Sequence, residues 1–122
     1  MSNYLVISTS GDLLRVKYDN IVYVTADGNY SQMLLSGGDI RLLTMQLGQV
    51  ERLIDSQLGT NKQNFIRIGK GLIINRQYIF YIRINNQQLI LRDTFNAQYT
   101  VQASKEALKQ LKALVETENE GA

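Results

Sequence analysis

The sequence predicts a mainly β fold with a short middle helix and a C-terminal helix. Three observations predict it. Apolar and polar residues alternate along most of the chain, the period of a half-buried strand. Gly, Asn and Asp punctuate these runs at short intervals. Only two stretches, 44–58 and 104–115, change to helical spacing. No strand–helix–strand alternation occurs, which excludes a Rossmann-type sheet.

In order along the chain, Tyr4–Ser8 and Leu13–Tyr18 read as strands joined at Ser10-Gly11-Asp12. Ile21–Thr25 follows Asp19-Asn20. The signal Ala26-Asp27-Gly28-Asn29 turns the chain into Tyr30–Leu35, and Gly37-Gly38 turns it again into Ile40–Leu43. In Thr44–Leu58, Leu47, Val50, Leu53, Ile54 and Leu58 share one helical face, with Thr44 as the expected cap and Gly59 as the stop. A loop over 59–64 leads to strands Phe65–Ile68, Leu72–Ile74, Tyr78–Ile84, Gln87–Leu91 and Ala97–Gln102. Asn85-Asn86 supplies a hairpin turn. Ser104 caps the last helix, whose apolar stripe is Leu108, Leu111, Leu114 and Val115. The expected organisation is one domain over 1–116, with an acidic, disordered tail over 117–122.

The chain contains neither Cys nor His. That excludes disulfides, thiolate chemistry, a Ser/His/Asp triad and His- or Cys-based zinc sites. No P-loop or dinucleotide glycine pattern is present, and most acidic residues sit singly in turns. The reading is therefore not an enzyme, with no cofactor and no metal. Without a long apolar run or signal-peptide pattern, a cytoplasmic protein with no membrane partner is expected.

The net charge of +2 conceals an asymmetry. Residues 1–61 carry four basic and six acidic side chains, whereas 62–112 carry nine basic and two acidic. A cationic half on a near-neutral chain points to a polyanion partner. The most informative segment lies within it, Asn64–Arg76, NFIRIGKGLIINR. Its apolar residues form a β frame that carries Arg67, Lys70 and Arg76. Gly69-Lys70-Gly71 splits the frame and allows a tight turn with Lys70 presented outward. Such a cation suits a phosphate or a base edge. The alternation with Ile66 and Ile68 points Arg67 away from the core, as a phosphate clamp would require.

Four blocks together resemble one family: IVYVTADGNYSQMLL (21–35), LGQVERLI (47–54), NFIRIGKGLIINRQYIFYI (64–82) and YTVQASKEALKQL (99–111). They are similar to the LytTR domain, the DNA-binding output module of LytR/AlgR-type bacterial response regulators. That family shows an I-x-Y-I-x-A-x-G-N-Y-like start, a central F-x-R-x-H-(R/K/N)-S-x-x-V-N and a late S-(R/K). The resemblance covers about 13–114. It implies an elongated arrangement of small, mostly antiparallel β-sheets that inserts loops, not a recognition helix, into the major grooves of promoter DNA. It also implies paired direct-repeat sites, hence a second protomer on DNA, and a sensor or receiver partner. The twelve residues ahead of the first match are too few for a receiver domain, so the chain is expected to be a stand-alone domain or one separated from its receiver.

Carried over by position, the resemblance places base contacts at Asn29, Lys70 and Lys105, and matches Arg67 and Asn75 to the central block. With Arg76, Lys109 and Tyr30, Arg67 completes the expected DNA backbone contacts, although the alternation of its strand reads Tyr30 as a core residue more readily than as a phosphate-contacting hydroxyl. Asn29 reads either as a turn residue tolerating positive φ or as an amide able to pair with adenine. Asn75 reads as a local turn-maker. Lys105, beside the cap Ser104, opposes the helix dipole, a conflict a bound phosphate would resolve. The sequence departs from the family at Gly69 and Gly71, where relatives carry His and Ser. Lys105 stands where Arg is frequent, and it lacks the guanidinium fork for guanine. The alternative reading is a β-rich protein-interaction module that kept the fold and lost DNA recognition.

Overall fold

Alternation at period 2 gives ten strands in the computed structural model, which describes residues 3–120. The chain falls into two compact units, one through Gln77 and one from Tyr78.

The first unit opens with a two-stranded hairpin, β1 (Tyr4–Ser8) and β2 (Leu13–Lys17). It continues with β3 (Ile21–Asp27), β4 (Tyr30–Leu35), β5 (Ile40–Leu43), α1 (Leu47–Gln57), β6 (Phe65–Ile68) and β7 (Leu72–Asn75). The last five strands form an antiparallel sheet in the order β5-β4-β3-β7-β6. All four residues of β7 are buried, so the sheet there is covered on both faces. Helix α1 packs on β1, β3 and β7 through Leu47, Val50 and Ile54, with Leu58 just beyond its end. Burying each of these side chains stabilises by roughly 2 kcal/mol. That outweighs the cost of about 1 kcal/mol for Gly48 inside the helix. The Gln57 amide clamps the helix end to β1: Oε1 accepts from the Val6 N–H and Nε2 donates to the Val6 carbonyl, both at 2.8 Å. It thereby satisfies strand backbone where no neighbouring strand does.

The second unit holds β8 (Ile79–Arg83), β9 (Gln88–Arg92), β10 (Gln98–Gln102) and α2 (Lys105–Glu120), with sheet order β10-β9-β8. Leu89 and Leu91 of the sheet and Leu108 and Leu111 of α2 are buried. The β9–β10 turn is built on Asp93, which accepts from the Phe95 and Ala97 N–H groups and the Tyr99 hydroxyl.

Three expectations change. Helix α1 begins at Leu47 with Gln46 at the cap position and no side-chain cap, so Thr44 does not cap it. The 59–64 loop is wound as a short 3-10 segment. The acidic end expected to be disordered is helical through Glu120, where Lys112 pairs with Glu116 and the Thr117 hydroxyl donates to the Ala113 carbonyl. Gly121 and Ala122 lie outside the described residues.

Candidate nucleic-acid interface

Two turns meet at one end of the five-stranded sheet. The antiparallel pairing Thr25↔Leu72 places the end of β3 beside the start of β7. The Ala26 N–H then donates to the Gly71 carbonyl at 2.9 Å. So the β3–β4 turn carrying Asn29 adjoins the β6–β7 turn carrying Lys70. The segment after β5 reaches the same end. There the Ser31 hydroxyl donates to the Met45 carbonyl at 2.9 Å, and Gln46 Nε2 donates to Asn29 Oδ1 at 3.2 Å. Gln46, at the cap position of α1, thus turns its amide NH2 to Asn29 and makes no cap bond to the helix.

The backbone of the first turn separates the two readings of Asn29. The positive φ, +62°, belongs to Gly28, and Asn29 has none. Backbone geometry does not require Asn at 29. Its side chain is exposed, and among the described residues the contact from Gln46 leaves Nδ2 and one Oδ1 lone pair unengaged. Tyr30 follows with 49% of its surface exposed, so it is not a core residue.

In the second turn Gly69 takes φ +59° and reverses the chain, leaving Lys70 exposed. Arg67 does not point away. It pairs across the ladder with Ile73, and directly opposed residues share a face. Ile73 belongs to the α1 core, so Arg67 lies on the α1 side. Alternation misplaced it because this part of the sheet, where the adjoining strand β7 is buried throughout, is covered on both faces. Its Nη1 donates to Glu51 Oε1 of α1 at 2.9 Å, its Nε to the Gly69 carbonyl at 3.1 Å and its Nη2 to the Lys70 carbonyl at 2.9 Å.

Asn75 is completely buried. Its Nδ2 donates to the Ile21 carbonyl at 3.0 Å, and its Oδ1 accepts from the Gln77 N–H at 3.2 Å. Arg76 follows, half-buried, at the end of the sheet opposite Lys70; the four residues of β7 separate them by roughly 13 Å. The structure therefore does not bring Arg76 to the Asn29–Lys70 end.

In the second unit Lys105 opens α2, and Ser104 Oγ accepts from the Ala107 N–H at 3.1 Å, the cap that was expected. Lys105 and Lys109 are exposed on the first two turns. Most N–H groups of a first helical turn lack intrahelical partners, so an anion there would meet both N–H groups and Lys105.

These blocks match the family model of the LytTr DNA-binding domain over residues 11–116. The chain belongs to this family. Among solved structures it is similar to the LytTr DNA-binding domain of a methyl-accepting/DNA response regulator from Bacillus cereus. The TM-score is 0.62 at 16% identity, covering 94% of this chain and 98% of that one. No curated protein matches it.

Within this LytTR domain the structure thins the cationic half. Arg67 is paired with Glu51 and Lys112 with Glu116. Arg92 lies over the Phe80 ring at 3.6 Å and Arg83 over the Tyr81 ring at 5.5 Å. Lys62, Lys70, Lys105 and Lys109 are the exposed cations of 62–112 that have no partner among the described residues. Sequence reasoning missed Glu51 and Gln46, and no local motif marks either. Among the described residues no three acidic side chains gather as a metal site, and no helix is long and apolar enough to cross a membrane.

Proposed function

We propose that this LytTR domain binds double-stranded DNA sequence-specifically in a bacterial transcriptional regulator and reads the major groove with its turns. The observation that carries this reading is the juxtaposition of the Asn29 and Lys70 turns at one sheet end. Asn29 is free of a backbone reason for its identity there, and Lys70 has no partner among the described residues. Asn29 and Lys70 reach base edges from the first unit and Lys105 from the second. Tyr30 and Lys109 position the DNA backbone. Arg76 has no part in this arrangement, and Arg67 serves the turn. Promoter sites with direct repeats, two protomers per site, a sensor or receiver partner and a cytoplasmic location complete the proposal.

The test is binding to random duplex across a salt series. Four unpaired lysines, each meeting about one phosphate, give a log–log slope of roughly −4. A slope near zero where binding is detected overturns the electrostatic reading. No binding at low salt favours the protein-interaction module, which the two glycines in place of the family's His and Ser would accommodate.

Affinity should also be flat between pH 6 and 8. The chain has no His, so no side chain has an ordinary pKa in that interval. Burial pushes the Tyr23 phenol upward, further from it. Titrating a fluorescent duplex at fixed ionic strength checks this, and a steep change across the interval would contradict the proposed contact set.

A further inference from the structure

A lysine between two glycines is a loose reader. Glycine gives up more backbone freedom on ordering than any other residue, and Lys adds a flexible four-carbon stem. Something must hold the 69–71 turn if Lys70 is to meet one base edge.

We infer that Arg67 is that device: a positioning residue that ties the turn to α1 and fixes the direction in which Lys70 leaves the sheet. The inference deepens the proposed function and rests on its reading of Lys70. Its first support is geometric. All three guanidinium nitrogens are engaged, one by Glu51 and two by the successive carbonyls of Gly69 and Lys70. The two carbonyls are offered to one planar fork because Gly69 adopts φ +59°. A planar, pre-organised fork suits such a three-point contact, and an ammonium does not.

The second support is electrostatic. The Glu51 carboxylate already pairs with Arg67, and the Arg67 side chain is only 27% exposed. A DNA phosphate would have to displace a carboxylate and two carbonyls to use it. Lys70, by contrast, has no partner among the described residues. The labour is divided: Arg67 faces inward and shapes the turn, and Lys70 faces outward. Glu51, sixteen residues away in sequence, makes the second turn of α1 the anchor.

The test is a double-mutant cycle of Arg67→Ala and Lys70→Ala. Binding is measured on a site selected by the wild-type protein from a random pool and on a scrambled duplex, across salt. Amide hydrogen exchange at 69–71 is followed in parallel. Arg67→Ala should weaken the selected site roughly tenfold, and the double variant should be no weaker than Lys70→Ala alone, because coupled residues are not additive. The salt slope on the scrambled duplex should not change, and the turn amides should exchange faster. Arg67→Lys, which keeps the charge and loses the fork, should behave like Arg67→Ala. Glu51→Gln, a milder change, should speed exchange in the same amides.

Additive losses, a slope shallower by about one unit and rescue by Arg67→Lys would make Arg67 a phosphate contact and overturn the inference. Unchanged exchange in both Arg67→Ala and Glu51→Gln would also overturn it, whatever Lys70 does. Lys70→Ala without effect on the selected site, with faster exchange in Arg67→Ala, would instead sink the reading of Lys70 and leave the brace standing.

Discussion

Lys70→Ala should cost specific DNA binding about 1–3 kcal/mol, the range for one lost base contact. Binding to a scrambled duplex should fall much less, because one of several cations is removed. Folding stability should change by less than about 0.5 kcal/mol, as at an ordinary surface site. The structure makes this separation feasible. Lys70 is exposed on a three-residue turn, and the turn is held by its carbonyls and by the Gly71–Ala26 hydrogen bond, not by the lysine side chain. Binding isotherms on both duplexes, with a urea melt of each protein, read all three quantities. Equal losses on the two duplexes would reduce Lys70 to a phosphate contact. No loss on either would leave the turn a plain hairpin and favour a protein-interaction role.

How far the sequence reaches can be argued from particular residues. Strands β1, β4, β5 and β6 have the predicted bounds, because each lies between turn residues that leave the chain little choice. The start of α1 was harder. Thr44 is a good cap by type, but the chain is still completing the crossing from β5 there, and the helix opens only at Leu47. Period 2 says which residues share a face; it does not say whether one face or both are buried. Arg67 was placed on a solvated face for that reason, whereas its face carries Ile73 and α1. Its carboxylate partner is remote in sequence, and only the packing of α1 against the sheet brings them together. The long cationic segment shows a similar limit. Composition counts charges, but Arg83 and Arg92 lie over aromatic rings and Arg76 sits at the far sheet end. The position of Lys70 at the tip of its turn was legible, because two glycines around one lysine define it locally.

Asn75→Ala should be among the most damaging single changes to stability, about 2–4 kcal/mol, from two stranded backbone groups and a small cavity. Asn75 ends β7 fully buried. Its amide serves two segments in opposite senses, donating to the Ile21 carbonyl at the start of β3 and accepting from the Gln77 N–H just after it. A second, longer contact of 3.4 Å reaches the Tyr18 carbonyl. Alanine leaves the Ile21 carbonyl and the Gln77 N–H without these partners, and water cannot replace the amide in a closed site at no cost. Asn75→Asp provides the sharper control. It keeps the shape and the acceptor but replaces the donor with an oxygen facing two carbonyls, so it should destabilise at least as much as alanine at neutral pH. Urea denaturation should show a lower midpoint with an unchanged m-value in both variants. DNA bound by the folded fraction should keep its preference for the selected site, because Asn75 lies at the sheet end opposite Lys70. Loss of that preference with stability intact would mean that this motif asparagine touches DNA after all. The match to the family's central block would then report recognition at 75 rather than the joining of β7 to the start of β3.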